Sequence, residues 1–239
     1  MYADDIILIT ASVTHMRELI KICDSGLCEI DLQINIVKST WIRVGCQFQC
    51  DCVKIGLGGE FVQVSMEAKF LGSVLVADSK FSISLSKNKI KFFCNANRIL
   101  SKIGNSNLPV LMHLIDAYCV SALLYNLETF DLKKSQVNSL LFAINRLYMK
   151  ICKTGAISNI QYMQFAFGKL PIDILLPVRK AKYLHILMHK NDIISEVFRD
   201  VIEAEIAANV KDWRTRGQNL KFPCKSKGWI IFSNIVNAL

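Results

Sequence analysis

The chain has 239 residues, with 29 Lys and Arg against 20 Asp and Glu, a net charge of +9 and a pI of about 9.1. Hydrophobic residues at 52% and charged residues at 21% exclude a disordered chain, and the cationic excess suits a polyanionic partner such as nucleic acid. Nine cysteines without a secretory leader point to a reducing, intracellular compartment, nuclear or cytoplasmic, and away from secretion.

Taken in chain order, Ile6 to Ile9 form a short apolar run with β-branched residues, which predicts a buried strand. Ser12 is placed to cap a following helix. Val13, Met16, Leu19, Ile20, Cys23, Leu27 and Ile30 then recur at three and four, as a one-sided helix requires. "LQINIVKSTWIRVG" reads as a turn into a strand, and "CVKIGLGGEFVQV" as a hairpin with Gly58-Gly59 at its tip. "KFLGSVLV" is one further strand. From Phe81 the period shifts toward 3.6. Helices are expected over about 84–103, 109–129 and 133–153, with a break from Gly104 to Pro109. Tyr162 to Phe167, Leu175 to His189 and Ile193 to Val210 are further helical stretches, with Pro171 and Pro177 as breakers. The fold class is α+β.

Some chemistry is disfavoured by spacing. Cys46, Cys50 and Cys52 cluster, but C-x3-C-x-C lacks a second ligand pair at finger-like distance. His185 and His189 sit four apart, yet Ile186, Leu187 and Met188 supply no glutamate between them, so the zinc-protease pattern is missing. Mean hydropathy is high, at +0.31. The most lipid-like stretch, Leu108 to Leu127, carries His113 and Asp116, which are costly at mid-bilayer. A buried helix is expected there, not a membrane span.

Tyr2-Ala3-Asp4-Asp5 precedes the Ile6–Ile9 run, so the two carboxylates fall at a hairpin tip. Adjacent carboxylates repel unless a cation sits between them. Hard divalent ions take such oxygens, and a pair of them can activate a 3′-hydroxyl and stabilise the leaving group in phosphoryl transfer. An acidic surface turn is the plain alternative, since aspartate favours turns for backbone reasons.

The order of motifs narrows this. "YADDIILI", an amphipathic helix, "LQINIVKST" and "KFLGSVL" together resemble the later palm motifs of a reverse transcriptase, that of non-LTR (LINE-type) retrotransposons. Tyr2-Ala3-Asp4-Asp5 resembles the family's Y-x-D-D hairpin. Asn35, Lys38 and Ser39 resemble its I-N-x-x-K-S/T motif, and Phe70, Leu71 and Gly72 its Y/F-L-G primer-grip element. "CVSALLYNLETF" resembles its L-P-x-L-L-Y-G-x-E segment, with departures at Ser121 and Asn126. The resemblance covers residues 1 to about 153. It implies a partial palm over 1–78, a thumb-like helical region over 79–155 and a helical C-terminal region with a basic tail over 156–239. It implies Asp4 as the main metal-binding carboxylate, with Asp5 beside it, and Tyr2 and Lys38 near the incoming nucleotide. It further implies Mg2+ as cofactor and an RNA template, a DNA primer and deoxynucleoside triphosphates as partners. The family's fingers and its upstream metal-binding aspartate are not in the sequence, so the resemblance implies a truncated copy that does not polymerise alone.

Two basic features complete the reading. No Asp or Glu occurs between Asp78 and Asp116. At about 100° per residue, Lys87, Lys91, Arg98 and Lys102 fall within a sector of about 60°, and Phe92, Phe93, Ala96, Ile99, Leu100 and Ile103 lie opposite. One face would pack while the other meets phosphates. The tail from Lys211 to Trp229 interleaves Trp213, Arg214, Arg216, Lys221, Lys225, Lys227 and Trp229, a composition that suits either single-strand binding or an amphipathic cover. Beside the polymerase reading stand a non-enzymatic nucleic-acid-binding helical remnant and a plain helical interaction protein.

Overall fold

The apolar period that follows Ser12 becomes helix α1, Val13–Cys28. Ser12 caps it as expected, its hydroxyl accepting a hydrogen bond from the His15 amide at 3.2 Å. The computed structural model describes residues 5–50, 54–57, 59–104, 107–190 and 192–208. They fall into two units divided between Leu85 and Ser86.

The first unit is mixed α and β. Strands β1 (Thr40–Trp41) and β4 (Gln63–Val64) pair in parallel, and β2 (Gly56–Leu57) and β3 (Glu60–Phe61) pair antiparallel. Leu57 pairs with Glu60, and Gly59 takes φ 89° at the tip, as its glycine predicts; Gly58 lies outside the described residues. A three-stranded sheet in the order β5-β6-β7 follows, from Glu67–Phe70, Ser73–Val76 and Ser82–Ile83. Here the expectation of one strand over "KFLGSVLV" is corrected. Phe70 pairs with Ser73, so Leu71-Gly72 is a two-residue turn and the segment is two antiparallel arms. Leu71 at φ 45° and Gly72 at φ 82° both lie in the left-handed region of φ, as in the two-residue turns whose twist matches the right-handed twist of the flanking strands. Val74, Leu75 and Ile83 are buried. In α1 no side chain is buried: its predicted inner face is half covered and Ile22 is well exposed, while Ile30, expected on the same helix, lies beyond its end and is exposed too.

The second unit is helical in all its described elements. Helix α2 (Ser86–Ile103) ends at Gly104, whose φ of 61° suits a residue without Cβ. Asn107 caps α3 (Leu108–Leu114), and Pro109 sits in its first turn, where no amide donor is missed. The chain does not stay α-helical to Thr129 as expected. It runs through a π-helical turn, Ile115–Val120, into α4 (Ser121–Leu123), then a 3-10 turn, Leu127–Thr129. Helices α5 (Lys134–Cys152), α6 (Ile157–Ala166), α7 (Ile172–Met188) and α8 (Ile193–Val197) follow, with residues 199–208 again helical.

Pro171 caps α7 as a boundary residue, but Pro177 does not break it. Ile174, Leu176, Val178, Ala181 and Leu184 are all buried, and this packing on both sides of Pro177 outweighs the one lost amide bond. Phe92, Leu111, Cys119, Leu123 and Leu140 have no measurable exposure and centre the core of this unit.

Candidate nucleic-acid interface

Asp5 is exposed and makes one isolated bridge, after which residues 6–10 have no strand. Tyr2 and Asp4 lie outside the described residues. The expected buried strand Ile6–Ile9 is therefore corrected: Ile7 is 40% and Ile9 76% exposed. An apolar run becomes a strand only where a neighbour completes its ladder, and among the described residues none pairs with 6–10. Among the described residues, no three His, Cys, Asp or Glu come together to hold a metal.

The Asn35, Lys38, Ser39 spacing has a local cause. Asn35 Oδ1 accepts a hydrogen bond from the Lys38 amide at 3.0 Å. Its carbonyl accepts from the Ser39 amide at 3.0 Å and from the Ser39 hydroxyl at 2.7 Å. Asparagine and serine at these offsets close a turn at Ile36–Lys38 and hold Lys38 in solvent just before β1. Phe70, Leu71 and Gly72 form the half-buried tip of the β5–β6 hairpin.

Helix α2 carries the basic stripe. Lys87, Lys91, Arg98 and Lys102 are all exposed, and no ion pair involving them occurs among the described residues. Phe92 and Ala96 are buried opposite, with Ile99, Leu100 and Ile103 half-buried. Phe93, expected on the inner side, is 38% exposed, because it lies beyond the buried sector at the helix flank.

Two asparagines the sequence reading passed over fix what lies beside this stripe. Buried Asn88 donates from Nδ2 to the carbonyls of Leu123 (3.1 Å) and Tyr125 (3.2 Å). Asn95 donates to the carbonyl of Tyr118 at 2.9 Å. Their signal was the odd amide on an otherwise apolar or cationic helix border.

The segment 119–130 turns the corner after the π-helical turn. Asn126 sits at φ 59°, a left-handed position where glycine is favoured and asparagine tolerated. Glu128 accepts from Arg179 of α7 at 3.4 Å. Asp116 pairs with Lys169, and Lys180 bridges Asp131 and Glu205. Burial, then the nearby Asp116 charge, pushes the Cys119 thiol up to about 11. The same two causes in the same order push the Tyr148 hydroxyl well above its ordinary range.

The rings of His185 and His189 lie 4.3 Å apart, and His189 Nδ1 is 2.9 Å from the His185 carbonyl. The seven described cysteines are free thiols. No helix among the described residues is long and apolar enough to cross a membrane. The basic tail Lys211–Trp229 lies outside the described residues. No protein-family model, no curated protein and no solved structure matches this chain.

Proposed function

We propose that this chain is the late-palm and thumb portion of a LINE-type reverse transcriptase, and that its working part here is a nucleic-acid-binding helical unit. The observation that carries the reading is the α2 stripe: four exposed cations on one face, without an acid partner among the described residues, on the helix that follows the Phe70–Gly72 element in sequence. Backbone conformation adds support. The glycine of the F-L-G element, Gly72, and the residue at the glycine position of the Y-G-x-E segment, Asn126, both take left-handed φ. The departure at Asn126 therefore keeps the conformation that the motif's glycine would serve. The intact polymerase would carry out RNA-templated DNA synthesis with Mg2+, using Asp4, Asp5, Tyr2 and Lys38 in the roles the motifs assign. Such a chain works inside the cell, with reduced thiols.

A second reading, a binding remnant without polymerase chemistry, is favoured by one observation: residues 6–10 after Asp5 form no strand. Two experiments test these readings. Substituting Lys87, Lys91, Arg98 and Lys102 with Gln lowers the log–log salt slope for an RNA–DNA duplex by about 3 to 4, at about 0.9 per phosphate contact. An unchanged slope removes α2 from the interface. Primer extension on an RNA template with magnesium then separates polymerase from remnant: extension by this chain overturns the remnant reading, and binding without extension supports it.

A further inference from the structure

On α2, with Lys87 set at 0°, the cationic stripe spans about 0–60° and the core residues Phe92 and Ala96 lie at about 140–180°. Asn95 and Asn88 fall between, at about 80° and 100°. These two amides hold the backbone of Tyr118 and Tyr125 at the edge of the stripe. Both side chains face solvent, Tyr118 at 60% exposure and Tyr125 at 51%. One neighbour of each does not: Cys119 and Leu124 have no exposure at all. The anchors stand seven residues apart, about 10 Å along the helix axis, beside a cationic ridge about 22 Å long.

We infer that Tyr118 and Tyr125 are stacking platforms and that, with the α2 stripe, they form a site for an unpaired stretch of nucleic acid. The inference rests on the nucleic-acid reading above and narrows its substrate. Cations alone suit any phosphate backbone. Exposed aromatic faces beside them gain from bases only when those bases are splayed out of a duplex. A ridge of about 22 Å matches about six nucleotides at about 3.4 Å each. The π-helical turn serves the arrangement, because Ile115 and Cys119 stay buried within it while Tyr118 faces outward. The anchoring asparagines give the platforms fixed positions, so that little ordering is left for binding to supply.

The test uses the full chain and three fluorescein-labelled probes in anisotropy titrations: a 12-nucleotide single strand, its abasic counterpart and an RNA–DNA duplex. Tyr118→Leu and Tyr125→Leu each weaken single-strand binding by about fivefold to a hundredfold, and Tyr118→Phe and Tyr125→Phe stay within about twofold of the parent chain. The Leu variants keep the parental salt slope and duplex affinity, and the parent binds the abasic strand as weakly as the double Leu variant binds the normal one. Retained single-strand affinity in the double Leu variant overturns the platforms while leaving the stripe intact. Equal losses on abasic strand and duplex overturn them as well, as does equal displacement of the strand by a poly-glutamate peptide. Failure of the parent to bind any probe overturns both this inference and the nucleic-acid reading beneath it.

Discussion

Replacing Asn88 with Ala should unfold the helical unit well before any change on its surface does. Asn88 is 6% exposed, and its amide is the described link from α2 to the carbonyls of both Leu123 and Tyr125. Each buried hydrogen bond contributes about 1 kcal/mol net. Leaving a buried acceptor without its donor costs about 1–3 kcal/mol more. Leu123 has no exposure, so its carbonyl cannot recover a water easily, whereas the backbone at half-exposed Tyr125 can. The expected loss is therefore about 2–4 kcal/mol. Urea unfolding followed by circular dichroism at 222 nm, where helices dominate, measures it. Asn95→Ala is the internal control. It removes one exposed bond, to Tyr118, and should cost about 0.5–1 kcal/mol. If Asn88→Ala proves no worse than Asn95→Ala, the idea that the Asn88 amide clamps the corner against α2 is wrong.

Three more outcomes follow from the same core. Phe92→Ala empties a site with no exposure and should cost about 3–5 kcal/mol by the same assay; a loss under about 1 kcal/mol would mean that the α2 face is not packed as described. Cys119 and Tyr148 both release their protons at higher pH folded than unfolded. The folded chain therefore holds protons that the unfolded chain has lost, and stability is full below about pH 9, then falls as pH rises toward about 11. Thermal melts across pH 8–11 should show this decline, and it should flatten in the Tyr148→Phe, Cys119→Ala double variant. In the same range, iodoacetamide should label the exposed Cys94 and spare Cys119 in the folded chain, as mass spectrometry of the peptides would report.

Local rules recovered the parts of this fold whose causes are local. The 3.6 period located α2 and α5 to within a few residues, Ser12 and Gly104 marked helix ends, and Gly58-Gly59 marked a hairpin. The second hairpin is not legible in the sequence because leucine, here at φ 45°, carries no turn signal, and a single Gly72 within an apolar run is compatible with a continuous strand. Ile6–Ile9 had the composition of a strand, yet strand formation depends on a distant partner that composition does not report. Pro177 obeyed the packing of its neighbours over its own preference. The stripe was legible as cations on one sector. Asn88 and Asn95 were not, because their partners lie 35 to 37 and 23 residues away.

The π-helical turn at Ile115–Val120 is a phase shifter. A regular α-helix through this stretch would need one residue fewer, and each residue turns the chain by about 100°. Deleting a single residue there would let the ladder close in α form. Everything downstream would then rotate by about a quarter turn relative to α2, and the carbonyls that Asn88 grips would swing away. The surplus residue lets the stretch before it and the corner after it address the same helix at two different angles. A one-residue deletion within 115–120 should therefore damage this unit more than most single substitutions in the same stretch.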